Sequence, residues 1–315
     1  MILAYISLVL RLWSLQGGTI YDSFHTPPLP YGQMVFADPN HGWLVSTWSL
    51  HATADGGQSW HGIVPCEEGA SPVAGLPPGL VISVAWHDAS RVIVRTALSV
   101  ALLDRAGRCS ILKLPVKSML VTDIRFLDER IGWVTAQNDG VYRTTDGGQT
   151  WTRAAMKEVP AGLVPVSASE VWGTNGGTLM HTKDGGASWE TVLSAGSGGV
   201  SRVCITHDGI GWWLGIGFLY KTTDAGVSWH KLPWKTDGDV SFDETGMEGW
   251  IVGEGGRVLH SLDAGETWEY LKAPTKRDLA QVQAFSDGRA WICADERVFL
   301  RTLDHGRTWE LTVVR

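Results

Sequence analysis

Cysteine is scarce in this 315-residue chain. The four that occur, Cys66, Cys109, Cys204 and Cys293, show no Cys-x-x-Cys spacing, which argues against a zinc site and against a disulfide-stapled minidomain. Cys204 and Cys293 lie in apolar runs and read as small core residues, while a Cys66–Cys109 bridge rests on sequence proximity alone. Positive charge is also thin: 26 Lys and Arg stand against 33 Asp and Glu, a formal net charge of -7 with the signs interleaved. Phosphate binding needs a concentrated basic face, so no nucleic-acid partner is expected. The apolar run Met1 to Leu10 is too short to span a bilayer and carries no basic leader. A clipped signal peptide, a lipid-facing anchor and an extra edge strand therefore all stay open for residues 1–32.

Glycine and tryptophan, by contrast, are abundant, at 38 and 17 residues. Six of the tryptophans close a repeated pattern, Ser/Thr-x-Asp-x-Gly-x-Ser/Thr-Trp. The copies run from Thr53 to Trp60, Thr144 to Trp151, Thr182 to Trp189, Thr222 to Trp229, Ser261 to Trp268 and Thr302 to Trp309. Their aspartates are Asp55, Asp146, Asp184, Asp224, Asp263 and Asp304; the wide gap after Asp55 leaves room for a worn copy near Asp104. Units of about forty residues are the period of a radial repeat.

A second column lies upstream of each box: Gly42-Trp43, Gly132-Trp133, Val171-Trp172, Gly211-Trp212, Gly249-Trp250 and Ala290-Trp291. With the apolar runs before it and after the box, each unit offers four short β-forming stretches between turn residues. The fold expected is all-β, a seven-bladed propeller of four-stranded antiparallel blades over residues 33–315, preceded by the segment 1–32. The box aspartate accepts backbone N–H groups in a tight turn, the glycine supplies positive φ, and the hydroxyls satisfy further main-chain groups. Trp60, Trp151, Trp189, Trp229, Trp268 and Trp309 then lay an apolar face against the hairpin or the next blade. This is architecture, not catalysis. The second unit departs from the pattern, with Val92-Ile-Val-Arg95 in place of Gly-Trp and Cys109 or Ser110 in place of the box tryptophan.

Candidate ligand contacts lie on the loops between the second and third strands: Asn138, Asp139, Asn175, Glu254, Asp295 and Glu296. Turn chemistry explains most of them, Asn138-Asp139-Gly140 above all. The residue before each box, Ala52, Arg143, His181, Lys221, His260 or Arg301, is basic or imidazole in five cases of six. Spread around a ring such residues do not converge, so a solvent-facing strand position is expected. His181, His207, His230, His260 and His305 lack metal-ligand spacing, and no metal or cofactor is expected. Gly173 to Gly177 and Gly253 to Gly256 lack the Gly-Lys-Ser/Thr ending of a phosphate loop and read as hairpin turns.

The boxes resemble the Asp-box, or bacterial neuraminidase repeat, of sialidases, sortilin-type receptors, xyloglucanases and a photosystem II assembly factor family. Gly249 to Trp268, and Gly132 to Trp151 after it, look most like the unit of the last. That resemblance implies a non-catalytic chaperone or scaffold that binds a protein, such as a membrane-protein subunit, in the cell envelope; the chain is expected to be monomeric. The sialidase machinery of clustered arginines and a Tyr–Glu pair is not matched, and Tyr142 and Tyr220 occupy equivalent packing positions. A carbohydrate-binding or glycoside-hydrolysing protein is the alternative, since two acids need only meet across a cleft.

Overall fold

The computed structural model describes residues 33–46, 49–63, 81–88, 91–96, 99–104, 108–117, 120–154, 159–196, 201–206, 209–234, 238–294 and 298–314. These residues form seven four-stranded antiparallel sheets, each in simple up-and-down order from one contiguous stretch of chain. The blades cover 33–63, 81–111, 121–153, 162–194, 201–232, 239–272 and 279–313. The segment 1–32 lies outside the described residues.

Burial follows position in the blade. The second and third strands are enclosed on both sides by neighbouring blades, so they read as unbroken apolar runs rather than alternating ones. Gly132–Ala136, Gly211–Gly215 and Gly249–Gly253 are buried at every residue. The upstream tryptophans Trp133, Trp172, Trp212, Trp250 and Trp291 are, with Trp213, the largest fully buried side chains among the described residues. Outer strands such as His230–Leu232 are mostly exposed.

All six boxes are built alike. In the third blade Thr144 Oγ1 donates to Asp146 Oδ1 at 2.8 Å and accepts the Gly148 N–H at 2.8 Å. Thr150 donates its N–H to Oδ1 at 2.9 Å and its hydroxyl to Oδ2 at 2.6 Å. These donors hold the Asp146 carboxyl at about 2, and those of Ser188 and Ser228 do the same for Asp184 and Asp224. At Asp55 and Asp263 burial pushes upward, but the same donors outweigh it and the value is again about 2. The turn is also tied to the first hairpin of its own blade, for instance by Gly147 N–H to Arg130 O at 2.9 Å.

The box glycine has a second duty beyond positive φ. Gly226, at φ 80, lies against the Trp172 ring of the preceding blade so closely that a Cβ would fall inside it. The box tryptophans divide between the two expected partners. Trp229 meets Trp172 and Trp309 meets Trp250 of the preceding blade, at 5.7 and 6.0 Å and steep angles, while Trp268 packs edge-on to Phe242 of its own blade.

The basic column before each box does not face solvent. Register places it directly opposite the upstream tryptophan, as in Trp172↔His181, Trp212↔Lys221 and Trp291↔Arg301. His181 stacks on Trp172 at 3.9 Å and 15°. His181, Lys221, His260 and Arg301 are all buried. Their polar ends are satisfied by reaching outward or into the next blade: Lys221 Nζ to Glu266 Oε1 at 2.6 Å, Arg301 Nη1 to Gly56 O at 3.1 Å, Arg143 Nη2 to Ala168 O at 2.9 Å. The length of these side chains is what lets a buried strand position end on a neighbouring turn.

Among the described residues, side chains bridge the first and last blades. Gln281 Oε1 accepts the Met34 N–H at 2.9 Å and its Nε2 donates to Met34 O at 3.1 Å; Gln283 repeats both bonds on Phe36, at 2.9 and 3.0 Å. Phe36, Trp60, Trp291 and Phe299 pack together across the same seam. The second blade keeps four strands, with Val92, Val94 and Leu103 filling the core. In place of a box, Asp104 Oδ1 accepts the Arg108 N–H at 2.8 Å. Cys109 is disulfide-bonded and Cys66 lies outside the described residues, whereas the thiols of Cys204 and Cys293 are both pushed up by burial.

Candidate functional site

The innermost strand of each blade enters from the blade-to-blade link, so its first residues line the channel mouth on the face that carries the second-to-third-strand turns. Charged residues lie along these innermost strands at different depths, Asp239 at the start of its strand and Arg125 near the end of its own. Asp123 and Arg125 lie on Val121–Phe126, Arg202 on Ser201–Ile205, and Asp239 opens Asp239–Phe242. Strand alternation sends Ile124 and Phe126 into the core, leaving Asp123 and Arg125 on the other side.

Two Arg–Asp pairs result. Arg125 Nε is 3.3 Å from Asp123 Oδ2, and Arg202 Nε is 3.6 Å from Asp239 Oδ1. The carboxylates are committed: Asp123 Oδ2 accepts the Leu163 N–H of the next blade at 2.8 Å, and Asp239 Oδ2 accepts that of Val282 at 3.1 Å. The guanidiniums are not enclosed, with side-chain exposures of 39% and 44%. Burial pushes the Asp239 carboxyl upward, opposed by Arg202 and the Val282 N–H. Deeper in, burial lowers the Arg95 guanidinium to about 10 against the attraction of Asp123, and Arg95 donates to Val121 O.

Of the loop residues expected as contacts, those described sit on the face of the second-to-third-strand turns but on separate blades. Asn138, at φ 57, and Asp139 form the turn of the third blade. Asp139 accepts the Tyr142 hydroxyl at 2.9 Å and pairs with Arg153 at 3.3 Å. Asn175 ends Val171–Asn175, and exposed Glu254 begins the 3-10 turn Glu254–Gly256. Asp295 and Glu296 lie outside the described residues. The inner-strand arginines were missed because Asp123-Ile-Arg125-Phe126 reads as one more apolar run. The usable signal was charge on the strand nearest the axis.

The family model "Photosynthesis system II assembly factor YCF48" matches residues 104–238 and 197–315. The chain belongs to that family. "Photosystem II assembly lipoprotein Ycf48" of Synechococcus sp. (strain CC9902) is 28% identical over 155 residues, 45% of this chain and 45% of the relative, so the chain spans less than half of that protein. "Photosystem II assembly protein Ycf48" of Synechococcus sp. (strain JA-2-3B'a(2-13)) is 27% identical over 255 residues, covering 74% and 72%. Among solved structures, "YCF48 bound to D1 peptide" superposes with a TM-score of 0.64 at 21% identity, over 86% of this chain and 92% of that one, a likeness of fold. These relatives are named as assembly factors and not as enzymes, which supports the assembly-factor reading over the glycosidase one. One of them is named a lipoprotein.

Proposed function

We propose that this chain is a non-catalytic, monomeric assembly factor of the cell envelope that holds a segment of a membrane-protein subunit along its innermost strands. The observation that carries the reading is the pair of half-exposed guanidiniums, Arg125 and Arg202, on the innermost strands. Each neighbours a carboxylate that also accepts an N–H of the adjoining blade, and each approaches it through Nε, so the ion pair does not use up the five donors of the fork. A guanidinium with donors to spare selects carboxylates, which it takes two-pronged. The partner segment is therefore acidic or ends in a free carboxylate, and Asn138, Asp139, Asn175 and Glu254 lie on the turns of the face that receives it.

Support comes from three other sides. A relative of this fold is named as bound to a D1 peptide, and others as lipoproteins. A disulfide at Cys109 suits an oxidising compartment. The box carboxylates are held ionised by their own turns, which makes them poor proton donors for glycoside chemistry.

Fluorescence anisotropy with a labelled D1 peptide tests the reading. The Arg125→Ala/Arg202→Ala double variant is expected to bind at least about tenfold more weakly, as loss of two charge-assisted contacts implies. Equal binding by the double variant and the parent would overturn the placement of the site. Turnover of any glycoside in a substrate panel would overturn the non-catalytic part.

A further inference from the structure

The seam between the sixth and seventh blades breaks the pattern of the ring. At three other seams the residue before the box reaches the neighbouring blade as a cation on a long stem, as Arg143, Lys221 and Arg301 do, and in the fourth blade His181 pairs with Glu170 of its own blade while the next box carries Ala225. Here that residue is His260, the facing box residue is His305, and Glu248 stands between them. Glu248 Oε1 is 2.8 Å from His260 Nε2 and 3.0 Å from His305 Nδ1. One ligand atom from each of the three lies within 4.8 Å of the others.

We propose that Glu248, His260 and His305 form a binding site for a divalent transition metal of the zinc class, bridging the two blades. Two imidazoles and one carboxylate are the donor set of an open zinc site, with one position left for water or a partner's ligand. Zinc–donor bonds of about 2.0–2.2 Å separate tetrahedral donors by roughly 3.3 Å. The two Glu248 contacts need to open by only a few tenths of an ångström, and the two imidazole nitrogens lie within 4.8 Å of each other.

Proton bookkeeping favours a cation at this spot. His260 has a carboxylate oxygen at each ring nitrogen, Glu248 at Nε2 and Glu269 Oε1 at 3.4 Å from Nδ1. A neutral imidazole carries one N–H and cannot serve both. With metal on Nε2, the Nδ1–H donates to Glu269, the second carboxylate that orients a metal-bound histidine. The set is also preorganised. His260 and Glu248 are buried, with side-chain exposures of 1% and 8%. His305 sits in the left-handed region at φ 60, its ring so close over Gly288 that a Cβ there would lie 2.5 Å from it. A surface cleft lined by His260, Leu262, Glu269, Leu271, His305 and Arg307 gives entry from solvent.

The test is titration of tag-free, chelator-treated protein with Zn²⁺, read by calorimetry and by displacement of a chromophoric chelator, with Co²⁺ absorption as a check on geometry. One equivalent is expected to bind, and Zn²⁺ is expected to raise the melting temperature. His305→Ala should weaken binding at least about tenfold and abolish the thermal shift; Glu269→Gln should weaken it by about ten- to a hundredfold. His305→Ala installs the residue already present at the same box position as Ala225 and Ala264, so it should fold, and its metal-free melting temperature and circular dichroism establish this. His230→Ala, on an exposed outer strand, should bind as the parent does. Absence of saturable one-equivalent binding, or undiminished binding by His305→Ala and Glu248→Gln, would overturn the proposal.

Discussion

Among the described residues each blade is one contiguous segment, and no shared sheet ties the first blade to the last. The two glutamines of the final innermost strand stand in for those ladder bonds, and Gln283→Ala measures what they contribute. The substitution removes two hydrogen bonds and leaves the Phe36 N–H and C=O to channel water. At about 0.5–1.5 kcal/mol net per bond, the expected loss is roughly 1–3 kcal/mol. The ring should not fall apart, since Phe36 remains packed against Phe285, Trp291 and Phe299. Opening should be local, so amide exchange at Phe36 should quicken far more than exchange in the fourth blade. Urea unfolding followed by tryptophan fluorescence gives the total, and site-resolved hydrogen exchange gives the location.

Gln283→Glu sharpens the test. It keeps shape but replaces the donor to Phe36 O with an acceptor, so at neutral pH two oxygens confront each other. Both this repulsion and burial raise the pKa of the new carboxyl in the folded state, so its penalty is present at high pH and fades as pH falls through that raised value. Work between pH 5 and 8 stays clear of the box carboxylates. Unchanged stability and unchanged Phe36 exchange in both variants would refute the closure role, as would a uniform loss of protection with no preference for the seam.

Three further outcomes follow from the boxes. Gly226→Ala drives a Cβ into the Trp172 ring at positive φ and should cost about 2–4 kcal/mol, whereas Gly62→Ala, with no atom within 4 Å, should stay within about 0.5 kcal/mol in chemical denaturation. Asp263→Ala loses the Ser261 and Thr267 hydroxyls and the Thr267 N–H and should lower stability by about 1–3 kcal/mol, read as a shift in the urea midpoint. Five box carboxyls are depressed to about 2 and that of Asp304 is lowered too. A depressed carboxyl stabilises the fold above its unfolded value, near 3.9, so stability should hold above about pH 4 and fall steeply toward pH 2. A flat acid profile in thermal melts would contradict the hydrogen-bonding scheme.

Blade number, strand order and the box turn were legible because they repeat: six copies of Thr/Ser-x-Asp-x-Gly mark the same hairpin and leave little freedom between them. Position within the blade was less legible. The column Arg143, His181, Lys221, His260 and Arg301 has the composition of a surface, yet Arg143 is partly buried and the other four are buried, because sequence period does not say which side of a strand a neighbouring blade will cover. Its true signal was pairing: each of these residues stands opposite a tryptophan, and a long cation beside an indole face can be buried if its tip finds an acceptor.

The sites were hidden for the same geometric reason, carried one step further. Glu248 and His260 are 12 residues apart and Glu248 and His305 are 57, spacings that no ligand motif contains. They meet because a ring juxtaposes the third strand of one blade with the box turn of the next, a distance fixed by the repeat and not by any local pattern. Laying the units side by side and reading across seams, rather than along the chain, would have put His260 beside His305 and set them apart from Lys221 beside Glu266. In a propeller the repeat supplies the scaffold, and departures from it at matching seam positions are where new chemistry can be placed without disturbing the fold.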